Sequence, residues 1–170
     1  MRWFWVDRFT EFQSGSHAKG IKNVCLDEEV VDEYCPGFPF LPPTLIIEGM
    51  AQMGGIMVAE HFHFDKRVVL AKVGKAVFHS PALTGDQLIY EVRMDAVQDN
   101  GGTVHGTSHR GQELQAEIDL MFAFLEPGQV VDGPLFDPAD LQSMLRIMKF
   151  FSVAIDADGN RFPTYEKLSG

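Results

Sequence analysis

Cysteine is almost missing from this chain: only Cys25 and Cys35 occur among 170 residues. They form no CxxC pair, and no histidine sits beside them at metal-ligand spacing. A disulfide framework and a zinc knuckle are therefore excluded as organising features, and two reduced thiols in a cytosolic protein are expected. Positive charge is scarce too. Lys and Arg total 14 against 24 Asp and Glu, a formal net charge of −10. Nucleic-acid binders are usually basic, and an anionic membrane surface repels such a chain, so neither partner is expected. Lys66, Arg67, Lys72 and Lys75 form a local basic cluster, read first as an ordinary solvated face. No apolar run reaches the ~20 residues of a membrane span. The longest, Leu45 to Ala59, is interrupted by Glu48 and Gln52. The apolar start, Met1 to Trp5, is cut off by Asp7 and Arg8, too short for a secretory leader. The expectation is a soluble, cytoplasmic protein without repeats or low-complexity segments.

What is present is a core. Hydrophobic residues make up 45% of the chain, enough for one folded domain. Trp3 to Phe9 reads as a first strand, Ser14 to Ser16 as a turn, and Ala18 to Leu26 as a strand, with Ile21 and Val24 set against Lys19 and Lys22. Asp27 to Asp32 suggests a short helical turn. Tyr34 to Pro43 holds four prolines, a density that argues against helix and sheet ladders. Thr44 to Phe62 is apolar on nearly every face, the mark of a buried helix. Its Gly49, Gly54 and Gly55 cost helix propensity and suggest a close backbone neighbour.

The period then changes to two. Arg67 to Phe78 is a long strand with Gly74 as a candidate bulge. Asp86 to Val97 alternates, with Leu88, Tyr90, Val92 and Met94 on one face. Asp99 to Gly102 marks a hairpin turn before a strand from Thr103 to Arg110. Leu114 to Leu125 places Leu114, Ala116, Ile118, Leu120, Phe122 and Phe124 inward. One buried helix plus four long antiparallel strands is α+β. A single sheet covers only part of such a helix, so pairing with a second copy is expected. Residues 1–127 form the main domain and 128–170 an extension packing on it. In the extension, Val130 to Pro134 is a linker. Asp137-Pro138 starts a helix over about 138–151, with Leu141, Leu145 and Met148 on one face. Asp158-Gly159-Asn160 turns a small hairpin between Ser152 and Phe162. The aspartates there lack the spacing of a calcium loop.

The informative stretch runs from Tyr34 to Gln52: YCPGFPFLPPTLIIEGMAQ. It resembles the signature of the (3R)-3-hydroxyacyl-acyl-carrier-protein dehydratases, H-F-P-G-x-P-x-x-P-G-x-L-x-x-E-x-x-A-Q. Pro36, Gly37, Pro39, Pro42, Leu45, Glu48, Ala51 and Gln52 match in register. Val6-Asp7-Arg8, Ile21 to Val24, Lys75 to Phe78, Pro81, Gly85 to Leu88, Ala116-Glu117 and Phe122 to Phe124 extend the likeness over Trp3 to Leu125. The resemblance implies a hot-dog fold, an antiparallel sheet wrapped around one long helix, assembled as a homodimer or a trimer of dimers. It implies a lyase of fatty-acid or related acyl metabolism acting on an acyl-carrier-protein or coenzyme A thioester. No metal or cofactor is implied. The site would form across the dimer, one subunit supplying the histidine position and the other the helix carboxylate. That makes Glu48 and Tyr34 the catalytic candidates, with Gly37, Pro43, Thr44, Gln52, Phe38 and Phe78 as substrate-binding residues.

Two departures from the signature fall on the chemistry. Tyr34 stands at the histidine position. Pro43 stands where the family's glycine lends an N–H to the thioester carbonyl, and proline has none. Elimination of water needs a base for the α-proton, a donor for the enolate oxygen and an acid for the leaving hydroxyl. Tyrosine, with a reference pKa near 10, is a poor base at neutral pH. The roles would then invert, Glu48 acting as base and Tyr34 as acid, with Thr44 offering its N–H or hydroxyl to the carbonyl. Glu48 stands out on its own as a lone carboxylate early in an apolar helix, and a bond to Gln52 one turn later is the plain structural alternative. Two other functions stay open: a non-catalytic acyl or carrier-protein binding subunit of a heteromer, and a hot-dog thioesterase using Glu48.

Overall fold

The alternating segments and the apolar helix assemble into one sheet around one helix. A computed structural model gives the arrangement of residues 4–126 and 137–162. The elements in chain order are β1 (Arg8–Gln13), β2 (His17–Asn23), α1 (Glu29–Tyr34), β3 (Phe40–Leu41), α2 (Pro43–His61), β4 (Arg67–Phe78), β5 (Ala82–Leu83), β6 (Gln87–Gln98), β7 (Gly101–Arg110) and β8 (Glu113–Leu125). Then follow α3 (Pro138–Ile147), α4 (Phe150–Val153) and β9 (Ala154–Ile155). The main sheet runs β4-β8-β7-β6-β2-β1-β9, and β3 pairs with β5 apart from it. Every pairing in the main sheet is antiparallel except β9 on β1.

Helix α2 lies against β2, β4, β6, β7 and β8. Ile46, Met50, Met53, Met57 and Val58 are fully buried between them. Gly49 explains how the helix comes so close. A Cβ there would sit 2.5 Å from the Trp5 carbonyl oxygen and 2.8 Å from the Tyr90 ring. The expected inward faces hold: Leu88, Tyr90 and Val92 on β6, and Ala116, Ile118, Leu120, Phe122 and Phe124 on β8 are buried. Gly74 lies in a register shift of β4 as expected, and a second shift falls at Ala71.

Several expectations need correction. The first strand is Arg8–Gln13, because Trp5 and Val6 are buried in the core rather than paired in the sheet. The proline-rich loop does carry a ladder: Phe40 and Leu41 keep their N–H groups between Pro39 and Pro42 and pair with β5. Leu114 is exposed, not inward. The β7–β8 register shifts at Gln115, so Leu114 and Ala116 are out of phase. On β2 the inward positions are Ala18, Gly20 and Lys22, with Val24 buried just after the strand, and Lys22 is only 3% exposed.

The C-terminal helix does not run through to Phe151. It ends at Ile147, and Lys149 takes a left-handed φ of 60° before α4. That turn sends Phe150 into the rings of Phe9 and Phe12, at centroid distances of 5.7 and 4.6 Å. Leu145 and Met148 are buried as expected, and Asp137 accepts from Ala139 N–H at 2.8 Å as the cap. Strand β9 and the Ile155–Arg161 bridge form the small hairpin. Its Asp156 carboxylate accepts from the N–H groups of Asp158 and Asn160, closing a plain turn. The expected linker, Val130 to Pro134, and the 127/128 boundary lie outside the described residues. Among the described residues no helix is long and apolar enough to cross a membrane.

Candidate active site

Most of the candidate residues lie along the proline-rich loop and the first turns of α2. Pro42 is the N-cap and Pro43 the first helical residue, a position where proline's fixed φ suits the helix. Neither carries an N–H, so the first main-chain donor of the helix is that of exposed Thr44. Glu48 follows in the second turn, half-buried. Gln52 Nε2 donates to Glu48 Oε1 at 3.0 Å, and Gln52 Oε1 accepts from Trp5 N–H at 2.9 Å. The bond expected between Glu48 and Gln52 is therefore present, and it continues into the N-terminal segment.

Tyr34 ends α1 and is 56% exposed. Its ring meets Phe40 edge-on at 5.2 Å, and Phe38, 54% exposed, lies 5.9 Å from the same ring. Gly37 turns the loop below them with a φ of 85°. Phe40, Pro43 and Phe78 line one cavity of about 270 Å³, with Ile46, Ala82 and Gln115. Of the expected residues, Pro43 with Phe78 and Glu48 with Gln52 are thus brought together. Within one chain Tyr34 is not hydrogen-bonded to Glu48. Among the described residues no group of three or more metal-ligating side chains is set to hold an ion.

A buried polar group behind α2 escaped the sequence reading. Lys22 pairs with Glu28, lies 3.7 Å from Asp7, and holds its amine 5.5 Å over the Trp5 ring. Glu28 is the residue before α1, so this pairing ties the helix bearing Tyr34 to β2. Tyr90 lies fully buried nearby. Burial, then the charges of Asp7 and Glu28, push its phenol upward, so it stays protonated. The available signal was position: Lys22 occupies the same strand face as Ala18 and Gly20.

A long apolar helix laid across a twisted antiparallel sheet, with a proline-rich loop delivering a carboxylate at its start, defines a hot-dog protein. Residues 3–112 match the family model described as FabA-like domain, and the chain belongs to that family. A 3-hydroxyacyl-[acyl-carrier-protein] dehydratase FabZ from Pelotomaculum thermopropionicum is 39% identical over 119 residues, 69% of this chain and 85% of the relative. One from Symbiobacterium thermophilum is 38% identical over 122 residues, covering 71% and 86%. Among solved structures, the dehydratase heterocomplex ApeI:P from Xenorhabdus doucetiae superposes with a TM-score of 0.60 at 16% identity, covering 73% of this chain and 84% of that one. At that identity the likeness is one of fold.

Proposed function

We propose that this protein is a hydro-lyase that interconverts a 3-hydroxyacyl thioester and its enoyl thioester, with Glu48 and Tyr34 as the acid–base pair. The observation that carries the reading is Glu48: a carboxylate near the start of a buried helix, on the loop motif shared with relatives named as dehydratases. In the dehydration direction a base takes the α-proton, and the electrons of that C–H bond form the double bond. The β-carbon–oxygen bond breaks, and the hydroxyl leaves as water with a proton from the acid. Thr44 N–H, at the positive end of α2, is the main-chain donor nearest the position Pro43 vacates. The substrate is carried on an acyl-carrier protein, in keeping with the relatives' names.

The working unit in this reading is a homodimer. No hydrogen bond joins Tyr34 to Glu48 within one chain, and β4 forms a sheet edge on which Leu70 and Val73 stand 39% and 37% exposed. A second copy across that edge would cover them and bring Tyr34 of one protomer toward Glu48 of the other. A second reading is a binding subunit of a heteromer whose partner supplies a histidine. Tyr34 and Pro43 favour it, and heteromeric assembly has precedent in the ApeI:P fold.

The test is hydration of a short enoyl-carrier-protein by wild type, Glu48→Ala and Tyr34→His, with free thiol followed in parallel. Hydration that falls by at least ~10²-fold in Glu48→Ala supports the hydro-lyase. A silent wild type with turnover in Tyr34→His points to the binding subunit. Thiol release instead of hydration makes the protein a thioesterase.

A further inference from the structure

A second group of reactive side chains lies on the β1–β2 hairpin, at the opposite end of α2 from Glu48. Ser14 of that hairpin's turn donates to Glu60 in the last turn of the helix. Ser16 ends the turn and is exposed. Its hydroxyl oxygen lies 3.0 Å from His17 Nδ1, and His17 Nε2 lies 2.6 Å from Glu11 Oε1. Strand register brings the three together. Gln13 pairs with His17 and Glu11 with Lys19, while Phe12 and Ala18 fill the core. Glu11 and His17 are therefore diagonal neighbours on the outer face. The main chain of Ser16 is fixed on both sides: its N–H donates to Gln13 O at 3.1 Å, and its carbonyl accepts from Met94 N–H at 2.9 Å. The second oxygen of Glu11 lies 3.3 Å from Lys19 Nζ. The proton positions follow from which atoms can donate. A carboxylate accepts, so Nε2 of the ring carries the hydrogen toward Glu11. The bond to His17 is the first cause holding the Glu11 carboxyl below its ordinary value. In the neutral ring the Nδ1 lone pair then faces the Ser16 hydroxyl and accepts from it.

We propose that Ser16 is a nucleophilic acylation site, with His17 as its base and Glu11 as the residue that positions the ring, and that it takes short acyl groups from esters with a good leaving group. A hydroxyl bonded to a base, with the base oriented by a third group, is the arrangement that activates a serine. The Oγ–H proton passes to His17 Nδ1 as the oxygen bonds to the acyl carbon. The leaving group departs with the electrons of its own bond, and the ring returns its proton to solvent or to that group. Ser16 is left as an ester. Because Ser16 faces solvent, the donor is selected by its leaving group and by the small size of its acyl chain. The proposal is independent of the hydro-lyase reading above.

The experiment treats the full chain with p-nitrophenyl acetate and follows acetylation of Ser16 by peptide mass spectrometry, since lysine amines also react with this ester and must be told apart by position. Wild type is compared with Ser16→Ala, His17→Gln and Glu11→Ala. Wild type is expected to carry acetyl on Ser16. Acetylation there should slow by at least ~10²-fold in His17→Gln, the worth of a positioned base. It should slow by at least ~10-fold in Glu11→Ala, less than the ~10⁴ of a buried triad's acid. Ser16→Ala should lose this label while its lysine labels stay at wild-type levels, which shows that the protein is folded and the reagent active. Label confined to lysines and the N-terminus in wild type, or Ser16 labelling unchanged in His17→Gln, overturns the proposal. The role of Glu11 has a readout besides rate. At a pH where the ring is neutral, NMR of the His17 ring nitrogens should find the proton on Nε2 in wild type; a proton on Nδ1 overturns the assignment of His17 as base to Ser16.

Discussion

Gly49→Ala and Gly55→Ala are the same chemical change on one helix, and the structure gives them opposite signs. Both replacements gain helix propensity, about 1 kcal/mol each. At Gly49 the new methyl would lie 2.5 Å from the Trp5 carbonyl oxygen and 2.8 Å from a Tyr90 ring carbon. The oxygen belongs to main chain that is itself tied to Gln52, so no side-chain rotation relieves the clash. Helix α2 must move off the N-terminal segment, at the upper end of ordinary overpacking costs, about 3 kcal/mol. The net loss is about 2 kcal/mol, which lowers Tm by roughly 4–8 °C for a chain of this size. At Gly55 the closest atom is Phe122 Cε1 at 3.4 Å, an ordinary contact. There the propensity gain is nearly unopposed, and Tm should rise by about 2 °C. Calorimetry at a single protein concentration measures both, since self-association also shifts Tm. A Gly49→Ala protein as stable as wild type, or two variants moving in the same direction, would refute the close approach at Trp5.

Two further substitutions probe buried charge. Lys22→Met removes an amine 3% exposed and leaves Glu28 and Asp7 without their cation, while Met still packs on Trp5. Breaking a buried pair costs ~3–5 kcal/mol, and the partial exposure of both acids reduces that to about 2 kcal/mol, measurable by urea unfolding; a loss below about 0.5 kcal/mol contradicts the burial. Glu60, at the far end of α2, is 2% exposed, and burial holds its carboxyl above the ordinary value despite the hydroxyl of Ser14 donating to it at 2.7 Å. The folded state therefore favours the protonated form, and ionised Glu60 costs stability that grows as pH rises from about 4.5 through the raised value. Glu60→Gln keeps an acceptor for Ser14, so it should be more stable than wild type at pH 8 and close to it at pH 4, and a pH-independent difference would overturn the argument.

The long elements were legible because periodicity is a property of single segments. Alternation along β6 and β8 and the apolar sweep of α2 need no partner to be seen. The errors fall where a second segment decides. Leu114 alternates correctly with Ala116 in the sequence, yet the shift at Gln115 arises only when β7 lies alongside. The break at Lys149 follows from Phe150 seeking Phe9 and Phe12, more than 130 residues earlier in the chain. Nothing within Pro138 to Phe151 announces it.

The site divides the same way. Glu48, Gln52, Pro43 and Tyr34 stand within 19 residues, so one motif names them. Lys22 looked like a solvated lysine because lysine usually is one. It faces inward because side chains alternate along the strand and it shares the face of Ala18 and Gly20, which is packed: a Cβ at Gly20 would lie 2.9 Å from Val6 and 3.0 Å from the Met53 sulfur. With that face crowded, β2 can bury a long stem at Lys22 only if acids meet its amine. Asp7 comes from the segment before β1 and Glu28 from the approach to α1. Those same two segments also deliver Trp5 to Gln52 and Tyr34 to the Phe40 ring. The charge that looks misplaced in the strand is therefore the tie between the N-terminal segment that bonds Gln52 and the helix that ends at Tyr34, and this is why it is met in space rather than in sequence.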